Sequence, residues 1–521
     1  MTDTQAGAGF TLELAIDPTQ LERLLRSPGF QELRQGRAVG GNFRLVWHDT
    51  ADGEFAASGQ ALEVAPARRG TTQRLVQVMP RPQTPWLPGT EALVLRNCHA
   101  ATATPDAAAL GLDPRRPLVG LAAAEGRQRR YSLLLDGAPL TLLALNLRLR
   151  TVAAERDATR VVLAAPAGSP PGLVHEAALR LAAEAPLEPA WPLAEEARAL
   201  AHAEAPRPPR RGAPELAGSL TVEEGFAQAS AHLVAVLAWL APEAARGTPY
   251  AVHQTRVAIR RLRSGFAVWR PAVSNERSTA LDARLRHLAD VLGPVRDRDV
   301  FLAGAMTLAE QTLEHDPRLA LVRDAVQRAR EAALEVLASF VGGPDYRCLL
   351  LELGRFIAHQ GWREEANSER LALLDKPLAE FAAAQLSRRR RRMLRGHDDL
   401  AEVPIATLHA LRLSGKRLRY AVEFFASVFE ARPSKSTRRY LKRLASLQEE
   451  LGLVNDADVA RALLQGLPPP TAKAASGMHW AVGAVTGVTA ARAGLARTQA
   501  ERAWNEFREA PAFWDGKPAR G

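Results

Sequence analysis

The residues with the clearest chemistry form two cationic segments that repeat one another 156 positions apart. The first reads His253-Gln-Thr-Arg256-Val-Ala-Ile-Arg260-Arg261-Leu262-Arg263, and the second reads His409-Ala-Leu-Arg412-Leu-Ser-Gly-Lys416-Arg417-Leu418-Arg419. An α-helix advances about 100° per residue, so the first, fourth, eighth and eleventh residues of each segment fall within roughly 80°. Each helix would therefore carry one imidazole and three cations in a row. The positive charges of such a row repel one another, which indicates a polyanionic ligand that neutralises them. A phosphate chain is the simplest candidate.

A solvated helix face is the ordinary reason for such charges, and the residues beside each row argue against it. An apolar stripe runs next to each row, at Val252, Ile259, Leu262 and Phe266 and at Leu408, Leu411, Leu418, Val422 and Phe425. The basic residues thus flank the packed side of each helix, as the walls of a cleft do. Both helices are expected to run from proline to proline, Pro249 to Pro271 and Pro404 to Pro433. This pattern predicts an internally duplicated helical bundle whose two basic rows face one groove.

A second repeated motif follows each of these helices. Leu292-Gly-Pro-Val-Arg-Asp297-Arg-Asp299 lies after the first helix, and Leu451-Gly-Leu-Val-Asn-Asp456-Ala-Asp458 lies after the second. Glycine is favoured just beyond a helix end, and aspartate is favoured at a helix start. We therefore expect Gly293 and Gly452 to end helices and Asp297 and Asp456 to begin them. A secondary role for these carboxylates is to hold an arginine of the neighbouring row.

The charge of the 521-residue chain is unevenly distributed. Residues 1–200 hold 21 Arg, no Lys and 21 Asp plus Glu, whereas the rest of the chain carries the whole net charge of +11. The length allows two or three domains with full cores. Only two cysteines, Cys98 and Cys348, are present, which does not favour a disulfide framework. The anion-binding part is therefore expected in the C-terminal portion, in a reducing compartment.

Location can also be predicted from the sequence. The polar stretch Met1–Gly9 lacks the basic start of a signal peptide. The longest weakly polar stretch, Trp480–Ala491, is too short and too rich in Gly and Thr to span a bilayer. We therefore expect a cytoplasmic protein without a membrane partner. The Ala- and Arg-rich, Lys-poor composition is typical of GC-rich bacterial genomes.

The chain divides at residues 201–217, a proline-rich stretch that predicts a semi-rigid linker. Before it, alternating runs separated by turn signals such as Asp136-Gly137 predict mostly antiparallel β structure, at Thr11–Ile16, Asn42–His48, Arg74–Val78, Tyr131–Leu135, Leu140–Leu149 and Arg160–Leu163. After it, nearly every segment has helical periodicity. The predicted fold class is α+β, with a β domain at residues 8–200 and an all-α domain at residues 218–515. Five consecutive arginines, Arg388–Arg392, would encircle a helix, so only some of them can reach an anion.

The duplicated His-x-x-Arg-x-x-x-Arg/Lys-Arg-x-Arg motif, with the later Leu-Gly-x-Val-Arg/Asn-Asp, resembles the CHAD domain, the conserved-histidine α-helical domain. The resemblance covers roughly residues 218–515 and includes the closing Trp504, Phe507, Phe513 and Trp514. It implies two pseudo-symmetric helical halves that bind inorganic polyphosphate in a central basic cavity. The residues implied as ligands are His253, Arg256, Arg260, Arg263, His409, Arg412, Lys416 and Arg419. Further candidates are Arg261, Arg417, Arg388 and Arg392.

The N-terminal pieces resemble, in their order, the CYTH or triphosphate tunnel domain over about residues 8–200. Trp47-His48-Asp49-Thr50 and Gly59-Gln-Ala-Leu62 stand at two of its motifs. The resemblance implies a β-barrel that in active enzymes holds a divalent metal and a triphosphate. Five positions depart from that pattern: Glu13 stands for a Lys, Leu62-Glu63-Val64-Ala65 for Leu-Arg-x-Arg, Gln77 for a Lys, Arg160-Val-Val-Leu163 for Glu-x-Glu, and Ala194-Glu195-Glu196 for Ser-Lys. Metal-assisted hydrolysis needs such carboxylates and cations, so we expect no metal site, no catalytic residue and no triphosphatase activity.

Three functions from different classes follow from these residues. The first is non-enzymatic binding of inorganic polyphosphate in the basic groove, in association with polyphosphate granules and without a cofactor. The second is a metal-dependent triphosphatase or polyphosphatase in the N-terminal barrel, which the missing ligands disfavour. The third is nucleic-acid binding by the groove, for which interleaved aromatic residues are few, Tyr420 being the main one. Because imidazole titrates near neutral pH, polyphosphate affinity is expected to rise as pH falls from about 8 to about 6.

Overall fold

The computed structural model describes residues 8–78, 93–169, 172–204, 211–395, 400, 403–429, 434–467 and 475–515. The chain forms two units. Unit 1 comprises residues 1–211, 234–239 and 342–361, and unit 2 comprises residues 212–233, 240–341 and 362–521. Part of the predicted linker and the predicted helix end at Pro433 lie outside the described residues.

Unit 1 is built on β1 (Ala8–Ala15), β2 (Arg34–Thr50), β3 (Gln60–Pro66), β4 (Thr71–Gln77), β5 (Leu93–Ala100), β6 (Leu118–Leu135), β7 (Ala138–Arg150), β8 (Glu155–Pro166) and β9 (Glu188–Pro189). These strands form one antiparallel sheet in the order β5-β4-β3-β2-β6-β7-β8-β1-β9. The six predicted runs fall, to within one residue, in β1, β2, β4, β6, β7 and β8. Asp136 and Gly137 join β6 to β7 with φ of 49° and 82°, as the predicted tight turn requires.

The helices of the described residues are α1 (Pro18–Leu24), α2 (Pro28–Leu33), α3 (Glu54–Ala57), α4 (Gly172–Ala182), α5 (Leu193–Ala201), α6 (Val222–Ala245), α7 (Pro249–Val273), α8 (Glu276–Phe301), α9 (Thr307–Thr312), α10 (Leu319–Val341), α11 (Pro344–Ala358), α12 (Ser368–Leu374), α13 (Leu378–Leu394), α14 (Ile405–Phe429), α15 (Lys435–Gln465) and α16 (Ala475–Arg508). A π-helical turn, Leu302–Met306, joins α8 to α9, and a 3₁₀ turn, Phe513–Asp515, follows α16. The predicted α+β class, an antiparallel β part followed by a helical part, is confirmed.

Each face of the sheet in unit 1 has its own core because side chains alternate along every strand. On β7, Leu142 packs with residues of α1, α2 and α4 on one face. Leu143 and Leu145 point to the other face, where they pack with Trp47 of β2 and with the start of α5. Both faces are therefore covered, which explains why β7 is apolar at successive positions from Leu142 to Leu145, whereas its last residues alternate between apolar and polar.

In unit 2, an aromatic cluster holds α7 against α14. Trp269 of α7 is fully buried and lies 5.4 Å and 4.9 Å, between ring centroids, from Phe424 and Phe425 of α14. Both predicted apolar stripes are buried as well. The two cationic segments therefore lie on neighbouring helices that pack through their apolar sides, as the sequence predicts.

Two expectations about helix boundaries are wrong. Gly293 and Asp297 lie inside α8, and Gly452 and Asp456 lie inside α15, so neither motif ends one helix and begins another. α7 likewise continues past Pro271 to Val273. Glycine and aspartate favour helix ends through local backbone chemistry, and here tertiary packing keeps both helices continuous.

The expectation about apolar stretches also needs correction. α6, rather than Trp480–Ala491, is the helix whose length and composition would suffice to cross a membrane. In the structure, 67% of its most apolar window is buried within the protein, as in the core helix of a bundle.

Candidate anion-binding cavity

A cavity of about 540 Å³ lies in unit 2, and both cationic segments line it. Residues of α7 and α14 form one wall, and residues of α8, the π-helical turn, α15 and α16 form the rest. Six of the eight residues predicted as polyphosphate ligands line it: His253, Arg256, Arg260, His409, Arg412 and Lys416. The two halves of the sequence repeat therefore contribute the same three positions each to one concave site.

The last cation of each row lies outside the cavity lining and forms an ion pair. Arg263 donates to both carboxylate oxygens of Asp282, at 2.9 Å and 3.3 Å. Arg419 pairs with Glu423 at 3.3 Å, and the further candidate Arg261 donates to the same carboxylate at 2.8 Å. Arg261 and Arg263 thus link α7 to its neighbouring helices, whereas Arg419 pairs within α14.

Three further candidates also lie outside the cavity lining. Arg388 and Arg392 are exposed on α13, and Arg417 is exposed on α14. All three act electrostatically on Arg389 of α13.

The cavity also includes residues that the sequence did not predict as ligands. The second repeated motif supplies Arg296 and Asp297 from α8 and Asn455 and Asp456 from α15. α16 adds two more lining residues, Thr489 and Arg492. Aspartate is favoured at helix starts, so the sequence favours a capping role for Asp297 and Asp456 over a place in the cavity. The signal for their position was the equal spacing of this motif from each cationic row.

The glycines of that motif allow two arginines to approach the helices closely. A Cβ placed on Gly293 would lie 3.3 Å from Nη1 of Arg256, and one placed on Gly452 would lie 3.9 Å from Nη2 of Arg412. Nη2 of Arg412 is also 3.7 Å from Oδ1 of Asp456, so this carboxylate holds an arginine of the row as expected. Gly293 thus leaves room for Arg256, and Asp456 holds Arg412 along the cavity wall.

The cations of the cavity are not balanced by equal negative charge. Burial lowers the pKa of Arg260, Arg296 and Arg412. Loss of hydration, together with the nearby arginines, lowers the pKa of Lys416 to about 8. The Nε atoms of Arg260 and Arg412 are buried and have no hydrogen-bond partner among the described residues. A buried donor without an acceptor is costly, and both guanidinium groups belong to residues that line the cavity.

The two histidines of the repeat have different neighbours. Nδ1 of the exposed His409 donates to Oδ1 of Asn455 at 2.9 Å, which leaves Nε2 available to a ligand. At the equivalent place in the first half stands Arg296. Burial, followed by the charges of Arg296 and Arg260, lowers the pKa of His253. The site is thus pseudo-symmetric in position and asymmetric in charge.

The lining of the cavity also contains apolar residues. It includes Phe301, Ala305 and Leu308 around the π-helical turn and Leu453 and Val459 on α15. π-helical turns widen a helix locally and are frequent at functional sites. Phe301 is the one aromatic residue in the lining, and it is 3% exposed.

A small cavity of about 60 Å³ lies on the concave side of the sheet in unit 1. Residues of β1, β2, β3, β4, β7 and β8 line it, so the sheet curls around this space. Apolar side chains such as Phe43, Leu45, Leu143 and Leu145 occupy most of the lining. The space is far smaller than the cavity of unit 2.

Buried ion pairs occupy several of the positions that the sequence analysis compares with the metal and phosphate ligands of the tunnel family. Arg160 of β8 donates to Glu13 at 3.1 Å and to Glu196 at 2.6 Å. Glu63 of β3 accepts from Arg74 at 2.7 Å, and their side chains are 8% and 16% exposed. The carboxylates and cations here thus neutralise one another. Among the residues that the structure describes, no group of three or more His, Cys, Asp or Glu side chains is arranged to hold a metal ion.

Comparisons with known proteins match the C-terminal part of the chain. The CHAD domain model matches residues 227–465. The chain is 30% identical to the CHAD domain from the plant Ricinus communis, over 57% of this chain and 97% of that one, with a TM-score of 0.46. PptA from Streptomyces chartreusis is 16% identical over 55% of this chain and 100% of its own, with a TM-score of 0.36. No curated protein matches the chain.

The N-terminal region has a different neighbour among solved structures. HpAC1 from Hippeastrum, described as a candidate adenylyl cyclase with a dominant triphosphatase activity, is 14% identical over 38% of this chain and 96% of its own, with a TM-score of 0.27. The family assignment rests on the C-terminal match and on the duplicated motif that lines the cavity. Through that part, the chain belongs to the CHAD domain family.

Proposed function

We propose that the protein binds inorganic polyphosphate in the cavity of unit 2 and does not hydrolyse it. The observation that carries this proposal is the excess of buried cations over carboxylates at one concave site. His253, Arg256 and Arg260 from one half face the site with His409, Arg412 and Lys416 from the other, whereas only two carboxylates line it. The guanidinium groups of Arg260 and Arg412, which line the cavity, would donate charge-assisted hydrogen bonds to phosphate oxygens.

Each type of cation would contribute in its own way. Arginine presents a planar fork that matches two phosphate oxygens, whereas Lys416 acts as a compact point charge. A phosphate chain carries negative charge on every unit, so it can engage both halves of the pseudo-symmetric site at once. The bound anion also raises the proton affinity of His253 and Lys416, which couples binding to proton uptake.

The structure disfavours a nucleic acid as the ligand of this cavity. Single-stranded nucleic acids are bound largely by stacking their bases on exposed aromatic rings. Phe301 is 3% exposed, and Tyr420, also 3% exposed, lies beneath Arg260 and Arg419 with its ring centroid 5.6 Å and 5.3 Å from their guanidinium carbons. Neither ring offers a face to a base.

The ion pairs of unit 1 support a non-catalytic role for that unit. A triphosphatase would need carboxylates for a divalent ion and cations for the substrate. Here Arg160 and Arg74 already neutralise Glu13, Glu196 and Glu63. We therefore assign no metal and no catalytic residue to this unit.

We also propose that the protein associates with polyphosphate granules in the cytoplasm.

The proposal is tested by direct binding of the full-length protein to polyphosphate of about 100 units and to single-stranded RNA of matched charge, across a salt series. The test variant is Arg260→Glu with Lys416→Glu. The matched control is Arg286→Glu with Arg438→Glu, which changes the net charge equally at exposed positions outside the cavity lining. Tight polyphosphate binding that is lost in the test variant and kept in the control is the expected result.

The same samples, incubated with Mg²⁺ or Mn²⁺, are assayed for released phosphate, and no release is expected. Phosphate release that survives the cavity variant would show that unit 1 is an active enzyme. Tighter binding to RNA than to polyphosphate would overturn the ligand assignment. Equal losses in the test variant and its control would mean that overall charge, rather than the cavity, binds the anion.

A further inference from the structure

The arginine run on α13 separates into inward and outward residues. Arg389 donates to the side chain of Gln385 at 2.7 Å and to the carbonyl of Ala267 at 2.9 Å. Arg390 donates to the carbonyls of Arg508 and Ala510, at 3.2 Å and 3.0 Å. These two arginines therefore help to hold the bundle together, whereas the other members of the run are exposed.

Two of the exposed members gather with an arginine of α14. Arg388, Arg392 and Arg417 all act electrostatically on Arg389. Burial and then these three charges lower the pKa of Arg389 to about 10, an unusual value for a guanidinium. Arg388 and Arg392 lie one turn apart on α13, and α13 packs against α14, which carries Arg417. Two neighbouring helices thus bring Arg388, Arg389, Arg392 and Arg417 to one place. We call this group the outer arginine cluster.

No carboxylate balances the outer arginine cluster within the described part of the chain. The charged groups that shift Arg389 are all arginines. No ion pair to Arg388, Arg392 or Arg417 is present among the described residues. A cluster of like charges without counter-charges is an anion-binding surface in physical terms.

The outer arginine cluster begins one residue beyond the cavity. Lys416 lines the cavity, and its electrostatic neighbours are Arg412, Arg260 and Arg256. Arg417 follows it directly on α14 and faces the outer cluster instead. Consecutive Cα atoms lie about 3.8 Å apart, and their side chains diverge by about 100° around the helix. Arg417 is therefore the cation next to Lys416 on α14, on a neighbouring face of the same helix.

The volume of the cavity limits how many phosphate units of a long chain it can hold, so the rest of the chain must lie outside it. At about 30 Å³ per water, its 540 Å³ correspond to roughly 18 water molecules. A phosphate unit of four heavy atoms takes the room of at least two waters, so fewer than about ten units fit. Resting on the proposed function, we propose that the outer arginine cluster is a second polyphosphate subsite, which binds the part of a long chain that leaves the cavity.

This subsite predicts that chain length decides which residues matter. The experiment compares polyphosphates of about 5 and about 100 units, measured as dissociation constants for the full-length protein at one salt concentration. The test variant is Arg388→Glu with Arg392→Glu, two exposed positions whose replacement leaves the inward Arg389 and Arg390 in place. The control is Arg286→Glu with Arg438→Glu, which makes the same change in net charge.

The expected result is a loss of tenfold or more in affinity for the long chain, with affinity for the short chain changed less than twofold. Salt dependence should weaken in parallel, because fewer counterions are released when fewer cations meet the chain. The control should change both affinities by similar, small factors. Unchanged binding of the long chain, or equal loss for both lengths, would overturn the subsite.

Failure of the subsite and failure of the proposed function give different results. If the unmodified protein does not bind the short chain, the cavity is not a polyphosphate site. If it binds both lengths and the test variant does too, only the outer subsite is wrong. If single-stranded RNA loses affinity in the test variant and long polyphosphate does not, the outer arginine cluster binds nucleic acid instead.

Discussion

Nδ1 of His409 donates a hydrogen bond to Oδ1 of Asn455 at 2.9 Å, whereas the corresponding residue beside His253 is the cation Arg296. One histidine is thus oriented by a neutral acceptor and the other is repelled by a positive charge. Replacement of Asn455 by Leu removes the acceptor and should weaken polyphosphate binding about fivefold to tenfold, the usual effect of one lost hydrogen bond. Calorimetric titration at pH 6.5 measures it. Asp458→Asn, at the surface of the same helix, is the control and should change affinity less than twofold.

Binding should depend on pH through Lys416 and His253. Lys416 has a pKa of about 8 and binds phosphate when protonated, so its contribution is complete below pH 8 and is lost as pH rises further. The pKa of His253 is lowered, so this group takes up a proton on binding, and affinity continues to rise as pH falls from about 8 to about 6. Dissociation constants at constant ionic strength, from pH 6 to 9.5, measure both effects.

A single substitution separates these two contributions. Arginine stays protonated throughout this range, so Lys416→Arg should keep its affinity between pH 8 and 9.5, where the unmodified protein loses about threefold to tenfold. Both proteins should behave alike from pH 6 to 7.5. A profile that falls equally above pH 8 in the variant would count against Lys416 as the titrating group.

Lys416 should also reduce the stability of the ligand-free protein. Its pKa in the folded state, about 8, is below the value near 10.4 in the unfolded chain. Protonation therefore favours unfolding, so the destabilisation is complete below pH 8 and disappears as pH approaches about 10. Lys416→Met should raise the free energy of unfolding at pH 7 by about 1 kcal/mol, a modest gain because solvent partly screens the ammonium. Urea unfolding at pH 7 and pH 10 measures the difference, and a gain of equal size at both values would contradict the explanation.

The glycines beside the arginines offer a matched pair of substitutions. Alanine in the interior of a helix is favoured over glycine by about 1 kcal/mol, so Gly452→Ala gains helical propensity. Gly293 precedes Pro294, and a side chain before proline disfavours the helical conformation, so Gly293→Ala gains less. The added Cβ would lie 3.3 Å from Arg256 in the first case and 3.9 Å from Arg412 in the second. Gly452→Ala should therefore stabilise the protein without changing affinity. Gly293→Ala should displace Arg256 and weaken polyphosphate binding about threefold, as measured by calorimetric titration.

The repeated spacing of charged and apolar residues along α7 and α14 was enough to predict most of the site. Helical periodicity is a local property, so the sequence alone places His253, Arg256 and Arg260 on one face and buries Ile259 on another. The alternation along β7 predicted its strand for the same reason. The antiparallel β part, the helical part and six of the cavity residues could therefore be predicted before the structure was known.

Which cations face the cavity was decided by tertiary structure. Arg263 lies in the same arc as Arg260, but Asp282 of the next helix pairs with it, and Glu423 of α14 pairs with both Arg419 and Arg261. Helical periodicity fixes the direction of a side chain and not its partner on another element. The Gly–Asp motifs show the same limit, because local chemistry favours a helix end at Gly293 and packing against Arg256 keeps the helix continuous. The sequence by itself determined the rows of charge, and the packing of distant elements determined which charges remain available to a ligand.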